Sequence, residues 1–274
     1  MQTVAGKKVL ITGAAMGMGK MYGQLAVAEN AAAVVLWDIN QQALDATVAE
    51  LRRAGGKVHP YVVDVSSREA IEHAAKKVLA EVGEIDILIN NAGIVRGKFF
   101  WEHDNVKDTF FTMAVNSLAL MYITRAFLPG MIASRSEARI VNIASAAGLV
   151  ANPRMSVYCA SKWAAIGWSD SLRIELDHAG HGNVMVTTVC PGYISTGMFE
   201  GVKAPRLTPM LTPEYVVDKV WAAMKVGTPF LTMPVIVRLS LVIKGMLPTR
   251  PWDFVAGKIF RVYKSMEEFK GRAT

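Results

Sequence analysis

Six short apolar runs recur along the first 190 residues, and nearly every gap between them shows apolar residues at helical spacing. The runs are 8–12 (KVLIT), 33–37 (AVVLW), 58–63, 86–89, 139–143 (RIVNI) and 184–189. A strand that is apolar at consecutive positions has both faces covered, and parallel neighbours need a long crossover, normally a helix. The spacing predicts such helices after Gly19 through Ala28 and over 40–54, 67–82, 104–129 and 157–179. This alternation implies an α/β fold: a parallel sheet with helices on both faces, formed by a single domain over residues 1–274. No internal repeat or low-complexity linker interrupts it.

Bulk properties narrow the class of protein. The 274 residues are 52% hydrophobic and 19% charged, ample for a buried core. Two cysteines, Cys159 and Cys190, make no disulfide framework, so a reducing compartment is expected. The amino-terminal stretch enters the first apolar run without a long apolar signal or spanning segment, and the expectation is a cytoplasmic protein. Net charge is +7, unevenly placed. Residues 200–274 carry twelve Lys/Arg against six Asp/Glu, and the rest is close to neutral. A near-neutral body argues against nucleic acid as a partner, and the basic end suits an anionic surface.

Directly after the first run comes Thr12-Gly-Ala-Ala-Met-Gly-Met-Gly19. A glycine-rich turn between a strand and a helix can cradle a pyrophosphate: Gly13 permits the tight turn, Gly17 lets the phosphates approach, and Gly19 lets helix pack on strand. The helix amino terminus supplies free N–H groups. Asp38 closes the second run nineteen residues after Gly19, where a carboxylate can accept from both ribose hydroxyls of NAD and repel the additional phosphate of NADP. No Arg or Lys lies between Gly13 and Gly19 to attract that phosphate.

A second constellation is Ser145, then Tyr158 and Lys162 four residues apart. On a helix the latter two share a face. A phenol of pKa roughly 10 is a poor base at neutral pH, and an adjacent cation is expected to lower it. A surface Tyr–Lys pair would show the same spacing, so the pattern by itself leaves catalysis open.

Taken together, TGAAMGMG (12–19), Asp64-Val65, NNAG (90–93), Val115-Asn116, Ser145, YCASK (158–162) and PGYIST (191–196) resemble the short-chain dehydrogenase/reductase family over about residues 5–200. VLWDIN (35–40) and SMEEFKGR (265–272) further resemble its retinol and 17β-hydroxysteroid dehydrogenase branch. The resemblance implies a Rossmann-type doubly wound sheet of about seven strands. It also implies a hydride transfer between nicotinamide and an alcohol or ketone carbon. Tyr158 would be the acid/base, Lys162 would lower its pKa and bind the nicotinamide ribose, Ser145 would orient the substrate oxygen, and Asn116 would hold a water in a proton relay. NAD would be held by Gly13, Met16, Gly17, Met18, Gly19, Asp38, Ile39, Asp64, Val65, Asn91, Ala92, Gly93, Tyr158, Lys162, Pro191, Gly192, Ile194 and Thr196, with Asn90, Ala92 and Gly93 lining the adenine ribose and holding the central strand. Helices 104–129 and 157–179 would pair two subunits, giving a homodimer or homotetramer; Trp163 and Trp168 are candidate anchors.

Around the reacting carbon the expected neighbours are apolar: Val95, Ala146, Leu149, Met155, Tyr193, Met198 and Phe199. Residues 197–212, rich in Gly, Pro and Met, read as a loop over the site, and 197–274 as a substrate loop and apolar, basic extension. Its stretch 230–247 is too interrupted by Pro234, Arg238 and Lys244 for a spanning helix. Its stripe 235, 236, 239, 242, 243, 246 and 247 reads as pocket wall and a candidate membrane-surface helix. A bulky lipophilic alcohol or ketone is the favoured substrate. A small ketone metabolite, or a non-catalytic NAD(H)-binding sensor or scaffold, are the alternatives.

Overall fold

The structure is a computed structural model, described here for residues 1–271; Arg272, the end of the SMEEFKGR segment, and the last two positions of the carboxyl-terminal extension lie outside the described residues. Seven strands form one sheet: β1 (Lys8–Thr12), β2 (Ala33–Asp38), β3 (Val58–Val62), β4 (Ile87–Asn90), β5 (Ala138–Ile143), β6 (Val184–Pro191) and β7 (Phe230–Met233). All neighbours are parallel, in the order β3-β2-β1-β4-β5-β6-β7. The order reverses between β1 and β4, and the crevice at the carboxyl ends of those two strands is where a doubly wound sheet binds ligands.

The two-residue period of a strand explains how one run of apolar residues serves two cores. Val9, Ile11, Val34, Leu36, Ile87 and Ile89 face one side, under α1 (Gly17–Ala28), α2 (Gln41–Arg53) and α6 (Pro213–Val226). Leu10, Val35, Trp37, Leu88 and Ile140 face the other, under α3 (Arg68–Glu81), α4 (Asn105–Ser134) and α5 (Ser156–His178). Each such fully buried aliphatic side chain contributes about 1.5–3 kcal/mol. Through the sheet runs a buried polar chain. Asn90 Nδ2 donates to Asn142 Oδ1 at 2.8 Å, Asn142 Nδ2 to Ser169 Oγ at 2.8 Å, and Ser169 meets Thr188 Oγ1 at 2.7 Å. It ties β4, β5 and β6 to α5.

Three elements depart from the sequence expectations. Helix α4 runs past Pro129 to Ser134, because the turn after the proline still buries Met131 against the sheet. Its length and apolarity would suit a membrane span, yet Ala119, Ile123, Phe127 and Met131 are core residues. Stretch 230–247 is not one apolar segment. Its first four residues pair with β6 as β7, and Pro234 then caps α7 (Val235–Met246), which is followed by α8 (Thr249–Phe254). Helix α6 was not foreseen, although Thr212 caps it by accepting from the Tyr215 N–H and Pro213 opens it.

Candidate active site

The glycine turn is fastened from three sides. Thr12 Oγ1 accepts from the backbone N–H groups of Asn91 (3.0 Å) and Ala92 (3.1 Å), and Asn91 Nδ2 donates to the carbonyls of Thr12 and Gly13. Asp38 Oδ2 accepts from the Ala15 N–H at 2.9 Å, and Thr47 Oγ1 donates to the Ala15 carbonyl at 2.7 Å. Gly13 and Gly17 sit at φ +64° and +53°, in the left-handed region. A Cβ on Gly19 would collide with the Gly13 carbonyl. Asp38 therefore has a second task beside any ribose contact: it holds the turn.

A cavity of about 590 Å³ runs along the switch-point edge from Asp38, Ile39, Asp64 and Val65, past Gly13, Met16, Gly17 and Met18, to Asn91, Ala92, Gly93 and Thr196. It continues into a smaller pocket lined by Pro191, Gly192, Ile194, Ser145, Tyr158 and Lys162. Of the residues expected to contact the cofactor, Gly19 and Asn90 line neither: Gly19 packs beneath Gly13, and Asn90 is buried in the sheet against Thr124 and Asn142. Met16, at the amino-terminal cap of α1, makes no side-chain capping bond, and the first turn holds no acidic residue. The end of α1 is thus open to a diphosphate. The length of the cleft, the glycine cradle and this open helix end fit an extended dinucleotide. Trp37, Asn40, Val63, Ser66, Ile94 and Arg96 also line the cleft.

Ser145 follows β5, and its Oγ accepts from the Ala147 N–H at 3.1 Å, which opens a short helical turn. It lines the same small pocket as Tyr158. One turn further along α5, Lys162 Nζ donates to the Ile143 carbonyl at 2.9 Å and lies 5.8 Å from the Tyr158 ring centroid. Tyr158 and Lys162 are 5% and 3% exposed.

Electrostatics here correct one expectation. Burial drives the Tyr158 phenol above its ordinary value, against a weaker downward pull from the nearby Ser145 hydroxyl. Burial likewise brings the Lys162 ammonium down to about 8. Desolvation penalises both charged forms, and the ammonium bonds a backbone carbonyl rather than the phenol. In this state Lys162 does not prepare a phenolate.

Asn116 lies in a stretch of α4, Ala114–Leu118, where the helix widens to i→i+5 hydrogen bonding, a feature common at functional sites. Its Oδ1 accepts from the Ile94 N–H at 2.9 Å, and its Nδ2 donates to the Ile94 carbonyl (2.8 Å) and Ser161 Oγ (3.1 Å). Both amide protons are committed to fixing the loop after Gly93 onto α5. Only Oδ1 retains accepting capacity for a water.

Beyond Ser145 opens a mostly apolar pocket of about 100 Å³, lined by Ala146, Met155, Tyr193 and Phe199 as expected. Three other predicted neighbours do not line this pocket, though two of them stay beside the catalytic tyrosine. Leu149, just past the 146–148 turn, packs on Ala144, Cys190 and Val237. Val95 packs with Met155 and Tyr158. Met198 lines the cofactor cleft and the catalytic pocket. Much of the wall comes instead from the extension, through Ile236, Val237, Ser240, Trp252, Phe260 and Val262, and from Asn152. Phe199 stands between two tyrosines, edge-on to Tyr158 at 6.2 Å and to Tyr193 at 5.2 Å. The loop that carries it is strapped down by the end of the chain. Lys203 N–H donates to the Ser265 carbonyl, Lys270 N–H to the Glu200 carbonyl, and Lys203 pairs with Glu268.

Comparison with known proteins agrees with this architecture. The family model described as short chain dehydrogenase matches residues 7–206. Epidermal retinol dehydrogenase 2 of Mus musculus is 40% identical over 99% of this chain and 87% of its own length. Estradiol 17-beta-dehydrogenase 11 of Rattus norvegicus is 36% identical over 99% and 90%. A short chain dehydrogenase/reductase from Burkholderia phymatum in complex with NAD superposes with TM-score 0.80 at 28% identity, covering 90% of this chain and 96% of that one. A metagenomic short-chain oxidoreductase in complex with NADP gives TM-score 0.70 at 29% identity, covering 84% and 95%. A model matching most of the sheet, and relatives alike over nearly the whole chain, leave one assignment: the chain belongs to the short chain dehydrogenase family, oxidoreductases that use a nicotinamide cofactor on alcohols and ketones.

Proposed function

We propose that the protein is an NAD(H)-dependent oxidoreductase acting on an alcohol or ketone carbon of a lipophilic substrate. The observation that carries this reading is the position of Ser145, which lines both the catalytic pocket with Tyr158 and Lys162 and the apolar pocket beyond. A substrate oxygen at Ser145 would place its hydrocarbon among Met155, Phe199, Ile236 and Trp252. Bound in the long cleft, a nicotinamide would supply the hydride acceptor or donor. Ser145 would hold the substrate oxygen, and Tyr158 would take its proton in oxidation or deliver one in reduction. Lys162 would steady the developing phenolate once cofactor and substrate exclude water around it. Asn116 keeps the neighbouring loop in register through Ile94.

NAD is favoured over NADP by Asp38, whose carboxylate sits on the turn beside the cleft with no Lys or Arg between Gly13 and Gly19. The names of the relatives, retinol and estradiol dehydrogenases, support a retinoid, steroid or fatty-alcohol class. Helix α7 supports a cytoplasmic enzyme in peripheral contact with membrane. Val235, Leu239, Val242 and Met246 form an exposed stripe, and Arg238, Arg250 and Lys258 are exposed on the same extension. Exposed Val106 and Phe110 on α4 and Trp163 and Ile174 on α5 suit a homodimer or homotetramer; Trp168 packs into the core. The test of substrate class is an NADH-fluorescence screen over retinoids, steroids, fatty alcohols and small ketones. Turnover confined to small hydrophilic ketones would overturn it.

A further inference from the structure

A dinucleotide brings a doubly anionic diphosphate into the long cleft, and the glycine turn between Gly13 and Gly19 supplies no cation to meet it. The nearest lysines are engaged elsewhere. Lys20, in the first turn of α1, pairs with Glu50 of α2 at 2.7 Å and does not line the cleft. Lys162, in the adjoining catalytic pocket, donates to the Ile143 carbonyl. The cleft wall itself carries two carboxylates, Asp38 and Asp64. Left to the N–H groups of α1 alone, the diphosphate would sit in a cleft of its own sign.

Among the described residues one basic side chain lines the cleft: Arg96, three positions past Gly93. Its Nε lies 3.5 Å from Asp108 Oδ1, and the side chain is 44% exposed, so half of it faces solvent in the open cleft. Asp108 is buried in the first turn of α4, and its charge is already met. Its Oδ2 accepts from Lys98 Nζ at 2.8 Å and from the Asp104 N–H at 3.0 Å. Arg96 is therefore not needed to neutralise Asp108. Its terminal nitrogens make no hydrogen bond among the described residues, and a guanidinium fork with both ends open matches the oxygens of a phosphate.

A solvated arginine on a loop needs no ligand, but this loop is pinned on both sides of Arg96. Asn116 bonds the N–H and carbonyl of Ile94, and the Lys98–Asp108 pair fixes the chain two residues further on. The charge is held at the cleft before anything binds there, which lowers the ordering cost of a contact.

We propose that Arg96, tethered through Nε to Asp108, bonds the diphosphate of the cofactor and supplies the cation that the glycine turn lacks. The inference rests on the reading that the cleft takes a nicotinamide dinucleotide, and it adds a binding residue from outside the turn.

The experiment is an equilibrium titration with NADH, followed by its fluorescence, of wild type, Arg96→Met and Arg96→Lys at low and high salt, with ADP-ribose as a competitor that keeps the diphosphate and lacks the nicotinamide. At low salt Arg96→Met is expected to raise the Kd of both NADH and ADP-ribose by about fivefold to tenfold, between the worth of an exposed ion pair and that of a charge-assisted hydrogen bond. High salt should shrink this difference, because the contact is partly open to solvent. Arg96→Lys should recover part of the loss, keeping the charge without the fork. An unchanged Kd for NADH in Arg96→Met would overturn this inference alone. A loss of equal size at low and high salt would overturn it too, as a disturbance of packing, and so would a loss seen with NADH but not with ADP-ribose. Wild type that binds neither NADH nor NADPH would overturn the parent reading and this inference with it.

Discussion

Lys162 reaches past Tyr158 to the carbonyl of Ile143, at 2.9 Å, so the last residue of β5 anchors the lysine of α5. The ammonium is buried within one helical turn of a phenol that burial also holds neutral. At neutral pH the phenol keeps its proton while the lysine, at about 8, remains largely cationic.

The consequence for stability has a definite sign. Lys162 titrates near 8 in the fold against roughly 10.4 in an unfolded chain. Between those values the unfolded chain binds more protons, so stability rises with pH, is complete above the unfolded value and is lost as pH falls through about 8. Urea melts of wild type and Lys162→Met should therefore differ in a pH-dependent way. The difference should move in favour of wild type by up to about 3 kcal/mol between pH near 8 and pH near 10.5. A difference that stays flat across that window would show that the lysine is not desolvated.

Asp38 joins two functions in one carboxylate, through its bond to the Ala15 N–H. Asp38→Asn keeps an acceptor for that N–H but loses the charge, and should shift the NADH-to-NADPH ratio of kcat/KM toward NADPH by roughly tenfold to a hundredfold. Asp38→Ala should in addition weaken NADH binding, because the turn is released. An unchanged ratio in both variants would remove Asp38 from cofactor choice.

Gly17 and Gly19 should fail for different reasons. At Gly17 nothing lies within 4 Å of an added Cβ, but the backbone is left-handed, so Gly17→Ala should cost about 1–2 kcal/mol. Gly19→Ala drives its methyl into the Gly13 carbonyl and should abolish saturable NADH fluorescence enhancement. Equal effects of the two on binding would contradict the geometry.

The exposed stripe of α7 predicts co-sedimentation with anionic phosphatidylserine-containing vesicles at low salt and release at high salt. Leu239→Gln with Val242→Gln should weaken it. Protein that stays in the supernatant at low salt would exclude this surface as a membrane contact.

Much of this was legible from local pattern. Consecutive burial in β1, β2, β4 and β5 left continuous apolar runs, and the glycine turn, Asp38 and the Tyr158–Lys162 spacing are short-range signals. The pocket was less legible because its wall joins residues far apart, such as Asn152 with Ser265, 113 positions on. Leu149 turns away for a related reason: adjacency in sequence to Ser145 does not say which way a side chain points. The lowered Tyr158 pKa was misjudged because spacing shows a neighbouring charge but not the depth of burial around it. In stretch 230–247 the helical stripe after Pro234 is legible, and only pairing with β6 reveals that the first four residues are a strand.

The most direct test of catalysis at Tyr158 is single-turnover kinetics of Tyr158→Phe with NAD and an alcohol that the wild type oxidises, alongside NADH titration. The variant should bind NADH as wild type does while its rate falls by about 10²–10⁴-fold, the usual worth of a positioned acid/base group. Wild-type turnover by Tyr158→Phe would contradict the assignment of the proton transfer to this phenol.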